Sequence, residues 1–160
     1  MFEQFSDRAK RTIFLARESA STRGAAAVIE PCHLVDALVR EDQGEFAKRM
    51  PNVMRIAGQE ELRPGHPFFS AEAASAVLDK LESILPPKNE PVPTSADMPA
   101  SPTLQRVFTA ALELARELHN DQVSPLHLLA GVLSQESEAS SEILKQVGIS
   151  RKAVIAAIPE

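Results

Sequence analysis

The chain contains no tryptophan and no tyrosine, and seven phenylalanines make up its whole content of large aromatic residues. A chain so poor in aromatics, with Ala, Leu, Val and Ile supplying most of its apolar material, favours helices over strands. A single cysteine, Cys32, excludes an internal disulfide and suits a reducing cytoplasm. No apolar run approaches the length needed to cross a bilayer, and Met1-Phe2-Glu3-Gln4-Phe5 lacks the basic and apolar regions of a signal peptide. A soluble chain with no membrane partner is expected. An excess of positive charge is also missing. The net charge of −5 argues against a nucleic-acid-binding surface, which relies on clustered Lys and Arg. Arg8, Lys10, Arg11, Arg17 and Arg23 do gather on the first expected helix, but acidic residues are interspersed, and the cluster reads as a solvated face. No G-x-x-x-x-G-K-[ST] stretch occurs, so no nucleotide-binding loop is recognisable.

What is present suits a helical domain. At 160 residues and 44% hydrophobic content the chain can build one sizeable core, or two small units sharing one. Ser6 is a good N-cap with Asp7 behind it, and Ala9, Ile13, Ala16 and Ala20 follow at helical spacing until Gly24. Pro31 opens a second helix with Leu34, Val35, Leu38 and Val39 as its buried stripe. Glu45 to Met50 is a candidate short helix, and Ser70 caps a clearer one carrying Ala74, Val77, Leu78, Leu81 and Leu85. Prolines 86, 87, 91, 93 and 99 then mark an extended connector, either a linker or a strap. Beyond it Ser101-Pro102, Ser124-Pro125, Ser137 and Ser150 each start a further helix, giving about eight in all.

The second half repeats the first. A shift of 95 residues carries Arg11, Ala16 and Ala20 onto Arg106, Ala111 and Ala115. A shift of 94 carries Ile29-Glu30-Pro31-Cys32-His33-Leu34 onto Val123-Ser124-Pro125-Leu126-His127-Leu128, with Pro, His and Leu in register. The expected architecture is therefore all-α: two four-helix repeats, residues 1–85 and 101–160, joined by a strap at 86–100 and related by a pseudo-twofold axis in one compact domain. Each repeat has one apolar face to bury against the other, and the seam is the natural place for a peptide-binding groove.

On these residues a family resemblance rests. Phe5-Ser6-Asp7-Arg8-Ala9-Lys10 followed by Ile29-Glu30-Pro31-Cys32-His33-Leu34 is similar to the opening repeat of a Clp N-terminal domain. Ser124-Pro125-Leu126-His127-Leu128-Leu129 resembles the start of the second helix of its second repeat, and Thr94-Ser95-Ala96-Asp97-Met98-Pro99 its connecting strap. The resemblance implies a non-catalytic, cofactor-free domain that docks substrate proteins or adaptors for a Clp-type AAA+ unfoldase, itself a candidate partner. Some members bind phosphorylated arginine through a carboxylate just before the second-helix histidine. Cys32 and Leu126 occupy those positions here, so that chemistry is not carried over. Other members use a hydrophobic groove near the first cap and the start of the second repeat. By that match, with Phe2 added from the N-terminal segment, Phe2, Ser6, Phe108 and Leu126 are the candidate partner-binding residues.

Other residues invite chemistry. Cys32-His33 suggests a nucleophile and base, yet adjacent helical residues point about 100° apart, and a half-buried structural thiol beside a capping histidine is the plainer reading. His33 with His127 makes too thin a ligand set for a metal. Phe5 reads as a core anchor, Phe2 as either an anchor or an exposed contact, and Phe68 and Phe69 as a plug into the core. The alternatives to a docking domain are a cysteine enzyme using Cys32, which requires a depressed thiol pKa, and a helical DNA-binding regulator using the basic stretch from Arg8 to Arg23.

Overall fold

A computed structural model describes residues 4–23, 28–45, 67–85, 100–135 and 138–158. They form seven helices: α1 (Asp7–Arg23), α2 (Pro31–Asp42), α3 (Ala71–Leu81), α4 (Pro102–Glu117), α5 (Pro125–Leu133), α6 (Ala139–Gln146) and α7 (Arg151–Ala157). Among the described residues there is no strand, only two isolated bridges. The helix expected over 45–50 falls outside them but for Glu45, as do the strap at 86–99, Gly24 and Phe2.

The starts of the helices follow from their caps. Ser6 Oγ accepts from Ala9 N–H and Ser101 Oγ from Leu104 N–H, both at 3.1 Å, so the first helix of each half opens in the same way. Ser70 and Ser150 cap α3 and α7 through Ala73 and Ala153. Ser137, the expected start of α6, lies outside the described residues. The N-cap of α6 is Glu138, whose carboxylate accepts from Ser140 N–H at 2.8 Å and Ser141 N–H at 3.3 Å, and a negative charge suits that end of a helix.

The two bridges carry the pseudo-symmetry. Phe5, ahead of α1, pairs in parallel with Val123, ahead of α5; Ala100, ahead of α4, pairs in parallel with Ile29, ahead of α2. The internal shifts carry Phe5 onto Ala100 and Ile29 onto Val123, so each bridge is the image of the other. Ser6 N–H donates to Val123 O at 2.9 Å, as Ser101 N–H does to Ile29 O at 2.9 Å. Each half thus satisfies backbone groups at the entry to its first helix only by borrowing from the other half.

α2 and α5 lie at the centre. The expected stripe on α2 is wider than a stripe: every residue from His33 to Val39 is buried, and α5 is buried from His127 to Leu133. Helices apolar nearly all round belong inside. α5 passes so close to α4 that a Cβ on Gly131 would lie 2.7 Å from Val107 O. Ala37, the matching residue of α2, is likewise fully buried. On α1, Ala9, Ala16 and Ala20 are buried as expected, with Thr12 and Leu15 beside them, while Ile13 is only partly covered.

The basic cluster is not simply a solvated face. Arg11 is 7% exposed, and its guanidinium meets the buried Glu41 carboxylate of α2 at 3.4 Å, with Arg8 on the same oxygen at 3.2 Å. The two cations offset the cost of burying Glu41 and tie α1 to α2.

A seam cleft at the start of the second repeat

A cleft of about 70 Å³ opens where the start of α1, the end of α2, the turn at 67–70 and the start of α5 converge. Arg8, Leu38, Asp42, Phe68, Phe69, Pro125, Leu126 and Leu129 line it, so both halves of the chain contribute walls. Asp42, the last residue of α2, sets one wall. Its carboxylate accepts from Phe68 N–H at 2.7 Å, from Phe69 N–H at 2.9 Å and from the Gln43 side-chain amide at 3.0 Å, while that amide also donates to Phe69 O. Held so, the two rings meet edge to face at 5.2 Å, with Phe69 sunk into the core and Phe68 partly covered. Phe69 is the plug expected of the pair, while Phe68, only partly covered, shapes the cleft. Pro125 and Leu126 reach the opposite wall because Pro125 starts α5 and the fully buried Leu128 turns that helix inward.

The four candidate contact residues separate. Leu126 lines the cleft, half-buried. Ser6 is close by in the fold but is occupied as the α1 cap and as partner of Val123. Phe108 is a core residue, 4% exposed and stacked edge-on against Phe5 at 5.9 Å, so its ring is not open to a partner. Phe2 lies outside the described residues. Arg8, Leu38 and Asp42 were not singled out for this role from sequence. They join the cleft through contacts across the fold, and no local motif marks them.

His33 and His127 act as reciprocal caps. Glu30 N–H donates to His33 Nδ1 and Ser124 N–H to His127 Nδ1, each at 2.9 Å, with histidine at the position usually held by Glu or Gln in a capping box. Since Nδ1 of His127 accepts a backbone N–H, its proton sits on Nε2 and faces Asn120 Oδ1 at 2.8 Å. Burial lowers the pKa of His127, which favours the neutral ring that this geometry requires. Ser124 Oγ also lies 2.8 Å from Nδ1. These are residue types of a nucleophile relay, but the ring nitrogen facing the hydroxyl is already engaged by the helix cap.

Cys32 is half-buried, and burial, reinforced by the nearby negative charge of Glu138, pushes its thiol up to about 11. A cysteine nucleophile needs the opposite shift. The DNA-binding alternative loses Arg11 from its basic stretch, since that guanidinium is buried against Glu41. Among the described residues no group of three or more His, Cys, Asp or Glu side chains is placed to hold a metal ion, and no helix is long and apolar enough to cross a membrane.

The family model described as the Clp repeat (R) N-terminal domain matches residues 69–158. The chain is 29% identical over 149 residues to the chloroplastic chaperone protein ClpD2 of Oryza sativa subsp. japonica, covering 93% of this chain and 14% of that protein. It is 28% identical over 163 residues to chloroplastic ClpD of Arabidopsis thaliana, covering 98% of this chain and 16% of that protein. The chain thus spans about one seventh of the length of such relatives. Among solved structures, the N-terminal domain of the caseinolytic protease associated chaperone ClpD from Arabidopsis thaliana superposes with a TM-score of 0.68 at 24% identity, covering 98% of this chain and 96% of that one. The Hsp104 N-terminal domain from Candida albicans superposes with a TM-score of 0.62 at 19% identity, covering 96% and 88%. With more than half of its length matched by the family model and its fold shared with these domains, the chain belongs to the Clp repeat N-terminal domain family.

Proposed function

We propose that this chain is a non-catalytic docking domain that receives substrate proteins or adaptors for a Clp-type AAA+ unfoldase. The observation that carries the reading is the cleft between the two halves, in which the partly exposed Phe68 and Leu126 offer an apolar surface over the buried Leu38 and Leu129, beside Arg8. Its relatives in rice and Arabidopsis are named as chaperones, which supports a role in handling other proteins. The reading treats 1–85 and 101–160 as two repeats of one folding unit strapped together by 86–100. It needs no cofactor, nucleic acid or membrane, and it places the chain in the cytoplasm, where a lone half-buried thiol stays reduced.

The test is binding of a permanently unfolded, carboxymethylated protein to the purified chain, followed by fluorescence anisotropy. Wild type is expected to bind, and Leu126→Asp, folded by circular dichroism, to lose most of that affinity. Equal binding by both forms, or none by wild type, overturns the docking role assigned to this cleft.

A further inference from the structure

The polar groups around the cleft are unequally engaged. Asp42 accepts three hydrogen bonds, two from backbone N–H groups and one from an amide. Glu41 is buried between two guanidiniums. Arg8, by contrast, spends only Nε on Glu41, and its side chain is 34% exposed. Its Nη1 and Nη2 nitrogens make no hydrogen bond with any described residue. The cleft therefore presents open donors of a cation next to apolar walls, and its carboxylates are already satisfied. An occupant must bring an apolar group and an acceptor close together, and a carboxylate fits the guanidinium fork best.

Size and chain geometry narrow the occupant further. A dry cavity of roughly 150 Å³ accommodates benzene, so about 70 Å³ suits a branched aliphatic side chain better than an aromatic ring. In an extended peptide, neighbouring side chains point to opposite faces. An acidic side chain next to the aliphatic one would therefore face away from Arg8. The α-carboxylate of a terminal residue, however, is carried by the same Cα as the side chain that fills the slot.

We propose that the cleft reads the C-terminus of a partner polypeptide: the aliphatic side chain of the last residue packs against Phe68 and Leu126 over the floor formed by the buried Leu38 and Leu129, and its α-carboxylate meets Arg8. This rests on the docking reading above and names the class of segment docked.

The experiment uses fluorescein-labelled octapeptides of Gly and Ser ending in Val-Leu, measured by anisotropy against the full chain. One carries a free C-terminal carboxylate, a second is amidated, and a third is amidated with a glutamate before the last residue. The free-acid peptide is expected to bind on the order of tenfold more tightly than either amide, since a charge-assisted hydrogen bond is worth about that factor, and raised salt should narrow the gap. Arg8→Gln should remove the difference, and Arg8→Lys should keep part of it. Equal binding of acid and amide to wild type overturns the terminal-carboxylate reading and leaves docking intact. Matching affinity of the glutamate amide and the free acid overturns it in favour of an internal acidic segment. Failure of all three peptides to bind, while the unfolded protein of the previous test binds through Leu126, overturns it as well. Failure of the unfolded protein too removes the docking role itself.

Discussion

Phe5 and Phe108 meet edge to face, with ring centroids 5.9 Å apart and planes at 74°, and each belongs to a different half of the chain. Phe5 also carries the backbone bridge to Val123, so a side-chain and a main-chain link between the halves share one residue. Phe5→Ala is expected to cost about 3 kcal/mol in urea denaturation, and a double-mutant cycle with Phe108→Ala to give a coupling of about 1 kcal/mol. Both halves should unfold in one transition when followed by amide exchange. Persistence of α4 to α7 after α1 has melted contradicts this interlock.

At Gly131 α5 runs close against the backbone of α4. A methyl group there meets the Val107 carbonyl at 2.7 Å, a backbone atom that moves only if the helices separate. Alanine is the better helix former by about 1 kcal/mol, but overpacking a buried crossing costs about 1–3 kcal/mol. Gly131→Ala is therefore expected to lower stability by about 1 kcal/mol, and Gly131→Leu by considerably more. A stabilised Gly131→Ala protein contradicts the close crossing.

The His127 cap makes stability depend on pH in a definite direction. Burial lowers the folded pKa of this ring below its ordinary 6.5, so the unfolded chain takes up a proton first as the solution is acidified. Its contribution is complete above 6.5 and declines as pH falls from there through the lowered folded value. His127→Gln keeps an acceptor at the same helix position without the titration. Its stability should vary less over that window, measured by urea unfolding at a series of pH values. An identical pH slope in both proteins removes His127 as the source.

Cys32 should be a slow thiol. With its pKa raised to about 11 by burial and by Glu138, very little thiolate exists at neutral pH, and alkylation should be slower than that of free cysteine. Glu138→Gln should quicken the reaction by removing the second cause. It will also weaken the α6 cap, so folding is checked alongside. Alkylation of wild type faster than free cysteine contradicts the buried, inert thiol.

The architecture was legible because its signals are local and occur twice. Serine caps, the Pro-x-His-Leu run and the apolar spacing behind it recur in both halves, and each corresponds to a cap or a buried helix seen in the fold. The start of α6 is less sharply marked, because Ser137 and Glu138 both carry side chains competent to cap a helix, and Glu138 is the one whose carboxylate accepts from Ser140 and Ser141 N–H. Arg11 looked like a surface cation because Glu41, its buried partner, lies 30 positions away. The cleft was legible only at Leu126. Phe108 carries the expected apolar character but turns toward Phe5, while Arg8, Leu38 and Asp42 reach the cleft through the angle between helices rather than any neighbour in sequence.

The most direct measurement is an amide and methyl NMR titration of the isotopically labelled chain with the unfolded, carboxymethylated protein. Docking at the seam predicts saturable shifts concentrated at Leu38, Phe68, Leu126 and Leu129, with the outer face of α4 around Glu113 unmoved. Shifts centred on α4 or α7, with the cleft resonances unchanged throughout the titration, would contradict the account.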